Sequence, residues 1–567
     1  MMKRYILLLV TGMALCACTL DEKIISSSVP ETFYQTPEEC IAGLNGCYTN
    51  VRNILNNRKY FTLSECQSDI MFINRSDQPD ATLQVSPSNP QFASTMWQYG
   101  YQGVMRANAM YAAIERAPFS DVKKAPLIAE AVVLRSFFYY LLTINFGDVP
   151  FYTEEVTDAN NSRIAQLPRM SASDTRNYLI DELREWVVEK RALDFKRTND
   201  ADNSQRYRFG AAVGLMLAGK MSLWEERWSD AIDFYGLLED IYGNGAGNPA
   251  GSLDKYPLSQ IPFGNRQVDE SILEISNISI DYGLQVSGTL AGICTPQRTV
   301  DVASEDAEVE DEEYNDEDYY RGVGIPELGN ASRTQTPVRP TFRFYKKLMP
   351  YNATDRRRSQ YDVAGNRLED AGGYLAWGWM GYERGEDRTK AEPHWIFFDS
   401  GNKNSRPYLG NKFWCFGMQY TMDSNSYKFF RYGEVLLRLA EAWLQKGENS
   451  KACEYLNEVR RRAGLDPISS SLDADELLAE IQDECARELF GECQRKHDLV
   501  RWGLWYEYVL KYNAGPKNTT DNAEGGENNT RLFDNIKPCH EYYPIPDEQI
   551  TYSNGALDNK EYNKYGL

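Results

Sequence analysis

Residues 432–463 read YGEVLLRLAEAWLQKGENSKACEYLNEVRRRA. Leu436, Leu439, Ala440, Trp443 and Leu444 fall at i, i+3, i+4, i+7 and i+8, the spacing that gathers apolar side chains on one face of an α-helix. That face is core. Gly447 interrupts the pattern, and Ala452, twelve residues after Ala440, lies in a second helical stretch. The same layout occurs earlier in the chain. Leu217-Ala218 is followed by a turn containing Trp and, thirteen residues after Ala218, by Ala231. Both segments run helix, short turn, helix, with small residues where the two helices must approach.

This is the layout of tetratricopeptide-like helix pairs, which stack into arrays because one pair cannot bury its own apolar face. Such arrays need at least about three repeats, and the segments around 103–145 and 474–506 are candidates to supply the others. Gly103 to Glu115 and Leu127 to Asn145 read as helices. The second is rich in aromatics (Phe137, Phe138, Tyr139, Tyr140) and stops at Phe146-Gly147-Asp148-Val149-Pro150, where Gly and then Pro end a helix. Ser173 to Lys190 is a further amphipathic stretch. The chain is therefore predicted to be all-α. Residues 243–425 differ: they are rich in Gly, Pro, Asn, Tyr and Trp, have weak periodicity, and read as loops, short strands and brief helices. Long irregular segments on a regular scaffold tend to carry function. The glycines at 243, 245, 247 and 251 follow a helix and lack the spacing of a nucleotide-binding loop.

The N-terminus adds an address. Met1-Met2-Lys3-Arg4 is basic, and Tyr5 to Leu15 is apolar but shorter than the roughly 20 residues that span a bilayer, as in a secretory signal. Leu15-Cys16-Ala17-Cys18 is the pattern of a bacterial lipoprotein signal. Cleavage before Cys18 leaves that cysteine for acylation, and several acyl chains at about 0.8 kcal/mol per buried CH₂ anchor stably. Asp21-Glu22 follows closely. The chain of 567 residues has 61 basic and 82 acidic residues, a formal charge of −21. That balance excludes nucleic acid and anionic membrane surfaces as partners. Nine cysteines remain beyond Cys16 and Cys18, an odd number, and their spacings match no zinc pattern. Three histidines far apart in sequence offer no metal site, and no cofactor is expected.

Several segments together resemble the SusD/RagB family, the nutrient-binding lipoproteins of Bacteroidetes glycan-uptake systems. Phe146-Gly147-Asp148-Val149-Pro150 is similar to its FGDVP element. Tyr432 to Leu437, Ala440-Glu441-Ala442, Leu456 to Arg460 and Arg462-Ala463-Gly464 resemble its C-terminal helix pair. Arg487 to Glu492 with Asp498 to Gly503, Tyr543-Pro544-Ile545-Pro546 with Asn554, and Tyr351 with Asp355 and Arg356 match further motifs in the right order. Cys485-Ala486 before Arg487, and Asn559 without a following Pro, depart from the pattern. The resemblance implies an all-α scaffold of four tetratricopeptide-like helix pairs (the SusD-like fold) carrying an irregular, loop-rich ligand-binding half. It divides the chain into a signal peptide (1–17), an N-terminal helical region (18–242) and a C-terminal region (243–567). It implies attachment to the outer membrane through Cys18, facing the exterior, and a SusC-like TonB-dependent transporter as partner. The ligand would be a glycan or, in the alternative, a peptide or glycopeptide as in the RagB type.

Sugars present apolar C–H faces and many hydroxyls, so a site for them needs flat aromatic rings beside amide, carboxylate or guanidinium groups. Trp377-Gly378-Trp379-Met380-Gly381-Tyr382 is the first candidate, because glycines space bulky rings in an irregular region; Trp395 and Tyr320 are added. The segment 69–91 is the second, with Asp69, Phe72, Asn74, Arg75 and Asp77. Trp97 reads as the buried start of the next helix. The acidic run Glu305 to Asp318 lacks the EF-hand spacing. Glu434 and Glu441, flanking Arg438, form ion pairs in the scaffold reading and an acid–base pair in an enzyme reading; Arg487, Glu488, Asp498 and Arg501 read as one ion-pair network around Trp502. No HExxH, G-x-S-x-G or P-loop motif is present, and the chain is expected not to be an enzyme.

Overall fold

The computed structural model describes residues 33–73, 78–194, 207–277, 287–295, 338–350, 354–358, 370–376, 378–384, 391–397, 407–415, 422–513 and 530–567. Helix dominates. The helices used below are α1 (Pro37–Leu55), α2 (Arg58–Glu65), α3 (Phe92–Arg116), α4 (Asp121–Phe146), α5 (Ala172–Leu183), α6 (Ala211–Trp224), α7 (Trp228–Tyr242), α8 (Tyr432–Gln445), α9 (Asn449–Ala463), α10 (Ala474–Glu488), α11 (Arg495–Arg501) and α12 (Trp505–Tyr512). Among the described residues, eight short strands, β1 (Met71–Ile73), β2 (Ser271–Ile275), β3 (Val338–Pro340), β4 (Leu375–Ala376), β5 (Gly378–Arg384), β6 (Ala391–Phe397), β7 (Tyr408–Leu409) and β8 (Tyr427–Arg431), make four antiparallel pairs: β1–β3, β2–β8, β4–β7 and β5–β6.

Helix–turn–helix pairs form from α3 and α4, α6 and α7, and α8 and α9, and α7 packs on α8 so that the two predicted repeats stack. Small residues permit the close approach. A Cβ on Gly219 would lie 2.6 Å from the Tyr235 ring, and one on Gly103 2.4 Å from the Phe138 ring. In the 474–506 segment, α10 packs on α8 and α9, while α11 packs on α2 and α12. The predicted helix over 173–190 is regular to Leu183 and then widens into a π-helical turn, Arg184–Glu189. Val187 in that turn sits where a Cβ on Gly214 of α6 would meet it at 2.9 Å, so the extra residue per turn settles a tight contact with α6. α4 is long and apolar enough to cross a membrane, but its apolar stretch is wholly buried and it is the central core helix.

The recurring motifs are joints. Gly147 ends α4 at φ 70°, a conformation that favours glycine. Asp148 Oδ1 then accepts the Ala172 amide at 2.8 Å, capping α5. At the far end of the chain the Tyr543 amide donates to Asn145 O at 2.6 Å, and the Asn559 side chain brackets Ile545, accepting from its N–H (2.9 Å) and donating to its carbonyl (2.7 Å).

Charged residues of the C-terminal motifs are buried and paired. The expected single network around Trp502 is two. In one, Arg438 bridges Glu434 and Asp498, Lys220 joins Glu434, and Arg501 holds Glu441, which also accepts from Trp502 Nε1 at 2.8 Å. In the other, Arg431 meets Glu270 (2.9 Å), Glu488 and Glu492 (2.8 Å), Arg462 meets Glu270 and Glu488, and Arg357 meets Asp355, Glu484 and Glu488; Arg487 joins this one through Glu484. Glu434 and Glu441 are each only 1 % exposed, so both serve the scaffold. All nine cysteines beyond the signal are free thiols.

Candidate ligand-binding edge

The two candidate segments, some three hundred residues apart in sequence, meet through three short strands. β1 pairs with β3 and places Phe72 directly opposite Arg339. The Arg339 guanidinium lies over the ring of Tyr408 in β7, 3.6 Å from its centroid. Tyr408 pairs with Ala376 in β4, and residue 378 then opens the β5–β6 ribbon. Phe72, Arg339 and Tyr408 therefore lie along one edge, and the ribbon follows β4 in the chain.

The base of this edge is rigid. Asp69, just before β1, is fully buried. Burial by itself would raise its pKa, but Arg495 (2.7 and 2.8 Å) and Arg343 (2.9 Å) outweigh it and hold the carboxyl down at about 2. Thr341, after β3, closes on the same turn, its amide donating to Ile70 O at 2.9 Å and its hydroxyl to Asp69 O at 2.6 Å. Under β4 and β7, Lys412 Nζ donates to Phe490 O and to Glu492 Oε1, both at 2.7 Å, and lies 4.0 Å from the Tyr374 ring. Burial pushes its pKa down to about 8, against the pull of Glu492. The backbones of 373 and 410 nearly touch: a Cβ on Gly410 would stand 2.2 Å from Gly373 O.

The predicted site residues distribute as follows. Phe72 is 4 % exposed in β1. Trp379, Tyr382 and Trp395 lie in the ribbon, where Trp379 pairs with Ile396, Met380 with Trp395 and Tyr382 with Pro393. Alternate residues of a strand belong to alternate faces, so Tyr382 and Trp395 share one face of the ribbon and Trp379 belongs to the other. Cys18, Asn74, Arg75, Asp77, Tyr320, Trp377 and the acidic run 305–318 lie outside the described residues. Asp69, read from sequence as part of a binding loop, is committed to its two arginines. Sequence reasoning missed Arg339 and Tyr408. The available signal was Pro337-Val338-Arg339-Pro340, in which the prolines favour extended backbone around a lone cation.

A separate small pocket lies between the α1–α2 turn and β8, lined by Leu55, Asn57, Phe61, Phe263, Tyr427 and Phe429 among others. It shares no residue with the edge, and Asn56, Arg58, Lys428 and Glu492 also line it.

Residues 311–562 match the SusD family, and residues 20–176 match a SusD-like family described as starch-binding and associating with the outer membrane. The chain belongs to the SusD family. SusD-like protein P25 of Formosa agariphila is 22 % identical over 97 % of this chain and 96 % of its own. Starch-binding protein SusD of Bacteroides thetaiotaomicron is 29 % identical over 22 % of this chain and 21 % of its own. Among solved structures, a SusD homologue from Bacteroides thetaiotaomicron superposes with a TM-score of 0.69 at 19 % identity, covering 93 % of this chain and 97 % of the other. Surface glycan-binding protein A of the same organism, in complex with laminarihexaose, superposes with a TM-score of 0.62 at 19 % identity, covering 92 % and 98 %. The fold of this SusD-family chain is thus the SusD-like helical fold with tetratricopeptide-like helix pairs, as the motifs implied.

Proposed function

We propose that this SusD-family chain is a surface-exposed receptor that captures a glycan and delivers it to a SusC-like TonB-dependent transporter of the outer membrane, without catalysing a reaction on it. Acylation at Cys18 would tether it there, with the helical region 18–242 and the region 243–567 forming the mature receptor. The observation that carries the reading is the edge itself: aromatic residues and one arginine collected on a rigid base, on a scaffold of the SusD family. Its relatives carry names of starch-binding and glycan-binding proteins, which supports a saccharide over a peptide.

The test is affinity electrophoresis of residues 19–567 through gels containing plant, microbial and host polysaccharides. The expected result is retardation by one polymer class, weakened by Trp377→Ala or Trp379→Ala. Retardation unaffected by either change would keep the function and move the contacts toward the 69–91 segment. Release of reducing ends during incubation would overturn the non-catalytic reading.

A further inference from the structure

We propose that Arg339 and Tyr408 form a subsite for the acidic group, a carboxylate or a sulfate, of an anionic saccharide. The proposal rests on the receptor reading and adds the charge class of the ligand.

Among the described residues, each fully buried arginine pairs with a carboxylate; Arg135 with Glu182, Arg208 with Glu130 and Arg460 with Glu484 are typical. Arg339 is placed differently. It is neither fully buried nor exposed, and among the described residues it makes no ion pair and its Nη1, shielded from water, has no hydrogen-bond partner. A shielded donor without an acceptor costs the free protein stability. A ligand oxygen that accepts from that N–H recovers the cost. General attraction between protein and acid does not explain the arrangement, because the chain carries −21.

The surroundings fit an anion better than a hydroxyl. The planar guanidinium presents parallel N–H groups that match two oxygens of a carboxylate or sulfate. Tyr408, 3.6 Å beneath, holds that plane by stacking and leaves its rim for the ligand. Phe72, directly across the strand pair, is buried on the same face and backs the arginine from within the strand pair. The acid closest in sequence on β1's side, Asp69, is already paired with Arg343 and Arg495 and does not compete.

The experiment uses residues 19–567 in affinity gels with polygalacturonate, alginate, chondroitin sulfate and carrageenan, beside neutral laminarin, starch, xylan and mannan. At least one acidic polymer should retard the protein. Arg339→Gln should weaken that retention about ten-fold, the loss expected for a charge-assisted hydrogen bond, with Arg339→Lys intermediate and the melting temperature unchanged. Carboxyl reduction of the retained polymer abolishing retention identifies a uronate, and desulfation abolishing it identifies a sulfate. Retention by neutral polymers alone, or acidic retention that Arg339→Gln leaves intact, overturns the subsite while the receptor reading stands. No retention by any polymer counts against the receptor reading and takes the subsite with it.

Discussion

Arg431 shows what one residue does in this protein. Its guanidinium reaches Glu270, Glu488 and Glu492 from the last position of β8, tying the irregular half to α10 and to the start of α8. A buried ion network is weak evidence of net stability, but removing one member strands the others. Arg431→Met should therefore destabilise the fold by about 3–5 kcal/mol, as for other broken buried pairs, in a urea unfolding curve; a loss under about 1 kcal/mol would show that the carboxylates re-pair locally. The titratable core also sets an acid limit. Burial, then Lys496, pushes His497 down to about 3, and burial, then Lys496 and Lys537, pushes His540 to about 3. Arginines overcome burial to hold Asp69 and Glu484 at about 2. A depressed histidine loses stability as pH falls from about 6.5 toward 3, because only the unfolded state takes the proton, and a depressed carboxyl loses it from about 4 toward 2. Burial raises Glu65 to about 8 and Asp423 to about 6, and these two oppose the trend above pH 4.5. Stability should thus vary little from pH 8 to 5 and fall by on the order of 5 kcal/mol between pH 4.5 and 3, since one pKa unit is worth about 1.4 kcal/mol. Thermal unfolding across that range checks the sign.

At the scale of elements, helix pairing depends on missing side chains. Gly103→Ala puts a Cβ 2.4 Å from the Phe138 ring, and overpacking of this kind costs about 1–3 kcal/mol. A melting point unchanged by the substitution would mean that α3 and α4 shift apart freely. The β4–β7 pair has only two residues per strand, too short to stand alone, so its order is borrowed from Lys412. Lys412→Met should leave the helix content intact while amide exchange at 373–376 and 408–412 accelerates well beyond that of α8 and α9. Equal acceleration everywhere would instead assign Lys412 to global stability.

At the scale of the whole molecule, the chain uses ion pairs and packing, with its thiols reduced. A denatured sample of residues 19–567 should titrate nine thiols, matching the nine free cysteines of the structure, and the native protein far fewer because all but Cys493 are buried; a denatured count below nine would reveal a disulfide. The candidate edge is also a whole-molecule product. It takes β1 from the N-terminal half and β3 and β7 from the irregular half, and Asp69 and Lys412 pin both parts to residues of the 483–495 segment.

The amino-acid order alone determined the helix pairs, their small-residue contacts and the stop at Gly147, because 3.6-residue periodicity and glycine or proline stops act over a few neighbours. The ordered series of motifs likewise sufficed for the family. Sequence also singled out the 377–382 segment, through its density of rings spaced by glycines in an irregular stretch. Tertiary structure decided that Phe72 lies opposite Arg339, that Asp69 is an anchor, that Arg487 and Glu488 belong to a different network from Asp498 and Arg501, and that Arg339 rests on Tyr408. Those facts depend on pairings across 57 to 426 positions. No local pattern encodes such distances, because the partner of a buried charge is chosen by which elements the packed core brings within about 3 Å.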